Sequence, residues 1–330
     1  MNLIASLLSN MIVFAIPLLL VALGGMFSER SGTVNIALEG IMIVGALVGS
    51  LLLKHIYIKN LMPNSPQLAM LIVIVVCAIT GSLFSLLLAF AAIKLKADQT
   101  IGGTALNILA PALAIVVTWA IQGQGQTVIN IPNEWVRLKP ESFGLTSSLN
   151  ASFLETVIFK YLYLTTFIAL IIIVISWIVL SKTRIGLWIR ACGEHPHAAD
   201  SVGINVYKVR YLGVLISGAL AGIGGISYTI AAGAGFQSEV AGYGFLALAV
   251  MIFGNWKPWR IFGASFFFAF FISLAGMSDS LASTFPFFPK LSNYIYLMIP
   301  YLFTMIVLAF TSKKSHAPKA SGIPYDPGQR

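Results

Sequence analysis

The chain has 330 residues, of which 58% are hydrophobic and 9% are charged, and its formal net charge is +9. Soluble domains carry about 25% charged residues, so this composition excludes an ordinary soluble protein. A basic excess can indicate nucleic-acid binding, but in so apolar a chain it fits basic residues that flank membrane spans. The composition therefore predicts an all-α, polytopic helical membrane protein that does not bind nucleic acid.

Apolar runs long enough for a spanning helix of about 20 residues recur along the chain. The predicted spans are 7–27, 33–53, 68–93, 100–121, 157–180, 209–232, 243–254, 261–276 and 291–311. The runs 243–254 and 261–276 are short for a full crossing, so they are expected to be tilted, broken or one re-entrant pair, which gives about 8–10 transmembrane helices. The transmembrane domain thus covers 1–311, and the polar, Pro-rich tail 312–330 is expected to be partly disordered.

Basic residues predict the orientation, because they concentrate in cytoplasmic loops. With the N-terminus outside and the C-terminus in the cytoplasm, 14 of the 20 Lys and Arg residues fall on the inner side. The main inner loop is then about 182–208, and the longest outer loop is about 122–156. Trp256 and Trp259, beside Lys257 and Arg260, are typical of an anchor at the inner interface.

Glu39 and Asn107 are polar residues inside predicted spans. A carboxylate such as Glu39 is costly in lipid and normally faces the bundle interior or water, so it either lines a transport path or forms a structural hydrogen bond. Asn107 lies four residues before Pro111, which frees the carbonyl of residue 107 from its helical partner. A polar solute can use such groups. The alternative is an interhelical contact of Asn107, assisted by Thr104.

The stretch "GEHPHAADSVGIN", residues 193–205, separates two apolar runs. Pro196 suits the first turn of a helix and Gly203 suits the position after its end, which predicts a short helix over 196–202. Ala198, Ala199 and Val202 are expected to form one small apolar face, which suits docking into a groove of a partner. A plain inner loop is the alternative. The residues assigned to this segment are Glu194, Pro196, Ala198, Ala199, Asp200 and Gly203.

Catalytic and metal-binding patterns are missing from the sequence. It contains no G-x-x-x-x-G-K-[ST] phosphate loop and no G-x-S-x-G motif. His195 and His197 have no further ligand nearby except Cys192, and Cys77 and Cys192 fall at different membrane levels. We therefore expect no catalytic residue, metal site, cofactor or disulfide in this chain.

The stretch "GEHPHAADSVGIN" resembles the cytoplasmic coupling segment of permeases in the branched-chain amino acid and ribose class of ABC importers. The stretches "GGMFSERSGTVNIALEGIMIVGA", "DQTIGGTALNILAP", "GYGFLALAVMIFGNWKPW" and "PKASGIPYDPGQR" resemble the nucleoside-importer branch of that class. They occur in order and span nearly the whole chain.

This resemblance implies a half-transporter in the bacterial cell membrane. Its implied partners are a second, homologous permease subunit, a cytoplasmic ABC ATPase that holds ATP and Mg, and a lipid-anchored substrate-binding protein. We expect a nucleoside to cross between two permeases past Asn107, Thr104 and Glu39, with Trp119 available to stack on the base. A simple sugar such as a pentose is the nearest alternative solute. An ion-coupled secondary transporter is weaker, because Glu39 has no evident cationic partner and no internal repeat is found.

Overall fold

The structure is a computed structural model that describes residues 2–140, 153–284, 292–311 and 317–328. The regular elements of the described part are helices, apart from one isolated β-bridge between Ile129 and Phe236. The helices are α1 (Asn2–Arg30), α2 (Leu38–Ile58), α3 (Pro66–Ala89, continued by a π-helical turn at Phe90–Lys94), α4 (Gln99–Gln122), α5 (Asn133–Val136), α6 (Phe153–Phe159), α7 (Leu164–Lys182), α8 (Arg184–Glu194), α9 (Pro196–Ser201), α10 (Val206–Ala232), α11 (Tyr243–Phe253), α12 (Pro258–Thr284) and α13 (Asn293–Thr311).

Seven helices in the described ranges are long and apolar enough to cross a membrane, namely α1, α2, α3, α4, α7, α10 and α12. The predicted class, a polytopic helical membrane protein, is therefore confirmed. Two predicted spans differ from the structure. The run 157–180 is divided, because α6 ends at Phe159 and α7 begins only at Leu164. The run 261–276 is part of α12, which has 27 residues and is not short.

Helix α10 lies at the centre of the bundle and packs against α1, α2 and α3. Its glycines allow this close approach. A Cβ atom on Gly222 would lie 2.2 Å from the carbonyl oxygen of Cys77, and one on Gly218 would lie 2.5 Å from that of Gly81. Small residues bring helix backbones together in membranes, where packing rather than the hydrophobic effect drives association.

Helix α11 begins near the middle of the bundle. The ring of Tyr243, its first residue, lies 6.4 Å from that of Phe14, which is halfway along α1. The preceding residues 233–242 are not helical, and Phe236 there pairs with Ile129. Since α11 has 11 residues, it spans only about 16 Å. The prediction that 243–254 is short for a full crossing is confirmed, and of the three alternatives for this run the structure favours a broken helix.

At the other end of α11, the chain meets the end of α1 that carries Arg30. The indole N–H of Trp256 donates to Glu29 at 2.6 Å, and Arg30 Nε donates to the Trp256 carbonyl at 2.8 Å. Trp256 is buried, with 5% exposure. The expectation that Trp256 anchors the chain at the interface is therefore wrong, because its N–H is used inside the bundle. Of the pair, Trp259 alone is exposed, at 52%.

The C-terminal tail contacts the same end of the bundle. The Ala320 N–H donates to the Gly193 carbonyl at 2.8 Å, and Arg210 Nη1 donates to the Ile323 carbonyl at 2.8 Å. Arg210 is fully buried, with 1% exposure. A buried guanidinium requires polar partners, and the tail supplies one of them. Residues 317–328 are thus held against the bundle, and the expectation of partial disorder in the tail does not extend to them.

Tyr325 holds the tail against α9 and α10. Its ring lies 5.2 Å from that of His197 and 5.5 Å from that of Tyr207, and the side chain is buried. Asp326 forms an ion pair with Lys96 at 2.9 Å. The hydrogen bond from Lys96 in this ion pair lowers the pKa of Asp326. The ion pair is therefore complete above the ordinary carboxyl pKa and is lost as the pH falls through the lowered value.

Candidate functional site

The start of α2 is the point where the polar residues inside the bundle meet. Glu39, 8% exposed, accepts the Gly242 N–H on Oε1 at 2.8 Å and the Gly244 N–H on Oε2 at 2.6 Å. These N–H groups belong to the beginning of α11, where the first turn has no intrahelical acceptors. A carboxylate also suits the positive end of the helix dipole. Glu39 therefore caps α11 from another helix.

Glycine is required where α11 meets Glu39. A Cβ atom on Gly244 would lie 2.4 Å from the backbone nitrogen of Glu39, so no other residue fits without a shift of the backbone. Gly242 has a φ of +76°, a conformation that residues with a side chain rarely adopt. Both glycines thus bring the beginning of α11 within hydrogen-bonding distance of the carboxylate.

Asn107 approaches the same stretch from α4. Its Oδ1 accepts the Gly40 N–H at 2.8 Å, and its Nδ2 donates to the Ile36 carbonyl at 2.8 Å. Gly40 allows this approach, because a Cβ atom there would lie 2.7 Å from the Leu106 carbonyl oxygen. The amide thereby satisfies one backbone group on each side of the point where α2 begins.

Glu39 and Asn107 therefore both make the hydrogen bonds that their structural interpretation requires. Glu39 joins α2 to α11, and Asn107 joins α4 to α2. Their participation in a transport path stays a prediction. A substitution such as Asn107→Leu removes two hydrogen bonds to backbone, so a loss of uptake in this variant alone does not separate transport from folding.

Thr104 and Trp119 lie in different surroundings, on the exposed face of α4. Thr104 Oγ1 donates only within its own helix, to the carbonyls of Thr100 and Ile101 at 3.0 Å each. Trp119 is 41% exposed. Fifteen residues separate the two, which is about 22 Å along the helix. The four residues predicted for the path are thus not brought together. Glu39 and Asn107 form hydrogen bonds to backbone groups inside the bundle, whereas Thr104 and Trp119 face away from the rest of the described chain.

The short helix predicted at 196–202 is confirmed as α9, with Pro196 as its first residue and Gly203 at a φ of +84° just after its end. The prediction that Ala198, Ala199 and Val202 form one exposed apolar face is wrong for Ala199. Ala199 is 3% exposed and packs into the core of the chain, whereas Ala198 is exposed and Val202 is 74% exposed. The outer surface of α9 is therefore formed without Ala199.

The other residues assigned to this segment, Glu194 and Asp200, are exposed on either side of α9. Helix α9 follows directly after α8, which packs closely against α1. A Cβ atom on Gly193 of α8 would lie 2.2 Å from the Arg30 carbonyl oxygen. Cys192 is buried, and burial raises the pKa of its thiol to about 11. Its thiol is therefore neutral at physiological pH. In the part of the chain that the structure describes, no three His, Cys, Asp or Glu residues form a group suited to a metal ion.

Two features of this arrangement are typical of a membrane transport subunit. Helix α11 begins inside the bundle and is capped by Glu39, and the short helix α9 is exposed at the end of the bundle that carries Arg30, which we call the basic end. Comparison with known proteins decides the family. A family model described as the permease component of the branched-chain amino acid transport system matches residues 7–308. The chain belongs to this permease family.

Two relatives match the permease over nearly its whole length. It is 42% identical to the guanosine ABC transporter permease protein NupQ of Bacillus subtilis (strain 168) over 320 residues, which are 97% of this chain and 96% of NupQ. It is 39% identical to the nucleoside ABC transporter permease protein NupC of Lactococcus lactis subsp. cremoris (strain MG1363), over 98% of each chain. A more distant relative, the guanosine ABC transporter permease protein NupP of Bacillus subtilis (strain 168), is 24% identical over 72% of this chain and 65% of its own. No solved structure gives a significant match.

The sequence did not reveal the partners of Glu39. The backbone groups that it accepts from lie 203 and 205 residues further along the chain. One signal was present, because the glycine-rich stretch "AGYG" at 241–244 interrupts an apolar pattern, and interrupted helices expose unpaired backbone groups. A carboxylate in one span and an interrupted span elsewhere are together a reason to expect such a cap.

We expect Glu39→Gln to destabilise the permease, because the amide keeps one acceptor oxygen and places an NH2 group against a backbone N–H. Hydrogen bonds to charged groups contribute about 1.5–3 kcal/mol, so the free energy of unfolding should fall by about that amount. Thermal or denaturant unfolding in detergent measures it. Glu239→Gln is the matched control, since Glu239 is exposed and lies three residues before Gly242. Equal effects of the two substitutions would contradict the assigned cap.

Proposed function

We propose that this permease is a subunit of an ATP-driven ABC importer that takes up nucleosides by alternating access. The observation that carries the proposal is the similarity to NupQ and NupC, whose names specify guanosine and nucleosides and which match nearly the whole chain. The solute-facing parts of the chain are therefore included in the match. In this proposal the N-terminus lies outside and the tail lies in the cytoplasm, as the distribution of Lys and Arg favours.

A separate cytoplasmic ATPase would bind ATP and Mg and dock on α9, with Ala198 and Val202 in the contact and Glu194 and Asp200 at its edges. The exposure of Val202, 74%, supports this role. The buried Ala199 would act from within, by fixing α9 to the bundle. Pro196 and Gly203 would define the ends of the docking helix.

The contacts that hold α9 on the bundle also support its role in coupling the ATPase to transport. The tail bonds to Gly193 through Ala320, and Tyr325 packs on His197 of α9 and Tyr207 of α10. Close packing transmits displacement because protein interiors have few voids. A movement of the ATPase against α9 would thus reach α1 and α10, the helices at the centre of the bundle.

The solute path would lie between this chain and a second, homologous permease, along the exposed face of α4. Thr104 offers a hydroxyl there, and Trp119 offers an aromatic face for a base. The resemblance of the chain to both NupQ and NupP, two guanosine permeases of one organism, supports a pair of related subunits. A lipid-anchored substrate-binding protein would deliver the solute at the outer end, including part of loop 122–156, of which 141–152 lie outside the described residues.

Reconstitution tests the function. In liposomes that hold this permease, the second permease, the ATPase and the substrate-binding protein, we expect ATP-dependent accumulation of a nucleoside. Excess of another nucleoside should compete, and excess ribose should not. Competition by ribose alone would favour the sugar importer. Accumulation by this chain alone, driven by an ion gradient, would contradict the ABC assignment and favour a secondary transporter.

Val202→Arg tests the docking helix without disturbing the interior, whereas Ala199→Arg would place a charge in the core of the chain. A long charged side chain in a close contact is expected to weaken ATPase binding by about 100-fold or more. The measurement is co-purification of the ATPase at normal permease abundance. Leu61→Arg, at an exposed position of the opposite end, is the control. Full co-purification and uptake with Val202→Arg would show that α9 does not couple the ATPase.

A further inference from the structure

Two adjoining cavities at the basic end of the bundle form one groove between α1, α7, α8 and α12. Their volumes are about 440 Å³ and about 300 Å³. The same four cationic residues line both cavities: Arg30, Arg190, Lys257 and Arg260. We call this feature the basic groove. None of the four has been used by the proposed transport path or by the docking surface of α9.

The cations of the basic groove form no close ion pair with any described residue, and the attraction of Glu194 for Arg30 is smaller than the repulsion from Arg190. Within the described ranges, no Asp or Glu oxygen lies within 4.0 Å of any of them. Glu194 is the one acidic residue in the walls of the two cavities. Arg30 Nε donates to the Trp256 carbonyl at 2.8 Å, and Arg190 Nε donates to that of Gly186 at 3.3 Å. Four like charges around one cavity repel each other unless an anion lies between them.

The larger cavity adds an apolar wall to these charges, made by Trp177, Leu180, Pro258 and Trp259. Trp177 is 38% exposed and Trp259 is 52% exposed, as is typical of aromatic residues at a membrane interface. Along α7, the wall continues into exposed apolar side chains at Ile171, Val174 and Ile178. The groove therefore joins a cationic cluster to an apolar helix face of a spanning segment.

We propose that the basic groove binds the headgroup phosphate of an anionic phospholipid, with its acyl chains along the exposed face of α7. Basic pockets between transmembrane helices on the cytoplasmic side bind anionic headgroups. Arg190 and Arg30 offer remaining guanidinium N–H groups, and Lys257 and Arg260 are exposed at the mouth. The apolar wall favours a lipid over a free anion, because a hydrated anion gains nothing from Trp177 and Leu180.

The bound lipid would also affect the contact between α1 and α8 that supports α9. Arg30 ends α1, and its carbonyl is in close contact with Gly193 of α8. Neutralising the repulsion between Arg30 and Arg190 would stabilise this junction. The proposal is independent of the transported solute, and it rests on the proposed function only for the orientation that places Arg30 on the cytoplasmic side.

The test uses the purified full chain in a neutral detergent, titrated with phosphatidylglycerol, with phosphatidylcholine of the same acyl chains, or with inorganic phosphate. Native mass spectrometry measures binding, and thermal unfolding measures stabilisation. We expect phosphatidylglycerol to bind and to raise the melting temperature, and the other two to do neither. Equal binding of phosphatidylcholine, or displacement of phosphatidylglycerol by inorganic phosphate, would overturn the proposal.

Substitutions of basic residues inside and outside the groove test where phosphatidylglycerol binds. The double variant Lys257→Gln, Arg260→Gln should bind phosphatidylglycerol about 25-fold more weakly, at about fivefold for each charge. The control pair Lys94→Gln, Lys208→Gln removes the same charge from exposed positions of the same end, outside the groove, and should stay within about threefold of wild type. Arg260→Lys, which keeps the charge, should bind nearly as wild type.

Equal losses in both pairs would reduce the effect to diffuse attraction between a basic surface and an anionic lipid, and the groove would not be a site. Unchanged lipid binding in Lys257→Gln, Arg260→Gln, together with loss of the co-purifying ATPase, would identify the groove as a protein interface and overturn the proposal. If the double variant fails to fold, Lys257→Gln alone provides the test, with Lys94→Gln as its control and about a fivefold loss expected.

Discussion

The hydrogen bonds between the Glu39 carboxylate and the N–H groups of Gly242 and Gly244 allow α11 to begin inside the bundle. At membrane depth water cannot satisfy the first N–H groups of a helix, and each one left unpaired costs several kcal/mol. Without an acceptor from another helix, a break at this position would leave these N–H groups unpaired. The carboxylate of α2 supplies that acceptor, and the glycines of α11 make room for it.

The same constraint explains the role of α4. Asn107 pairs with backbone on both sides of the start of α2, so that residues 36–40 are held by α4 on one side and joined to α11 on the other. Glu39 and Asn107 are thus both engaged with the backbone of the chain itself. In the proposed mechanism, the solute must then find its partners on the surface that the chain offers to a second subunit. Thr104 and Trp119 lie on that exposed face of α4.

The sequence predicted what depends on composition and on local chemistry. Apolar runs gave the class and most of the spans, and Pro196 with Gly203 marked α9, because both residues act through the backbone of their own turn. The orientation of Ala199 was not predictable in this way, since it depends on how α9 lies against the bundle. The tail had the polar, Pro-rich composition of a disordered segment, but Arg210 and Tyr207 lie far from it in sequence and provide partners for Ile323 and Tyr325. The function came from extended resemblance, because the interior polar residues by themselves fit either a structural or a transport role.

Uptake by Trp119 variants tests most directly whether the solute passes along the exposed face of α4. Stacking of a base on an aromatic side chain contributes about 1–3 kcal/mol, so Trp119→Leu should lower uptake at subsaturating nucleoside by about 5- to 150-fold. Trp119→Phe keeps an aromatic face and should retain most of the uptake. Both variants should unfold at the wild-type temperature, because Trp119 lies at the surface. Wild-type uptake with Trp119→Leu, or equal losses in the two variants, would contradict this path.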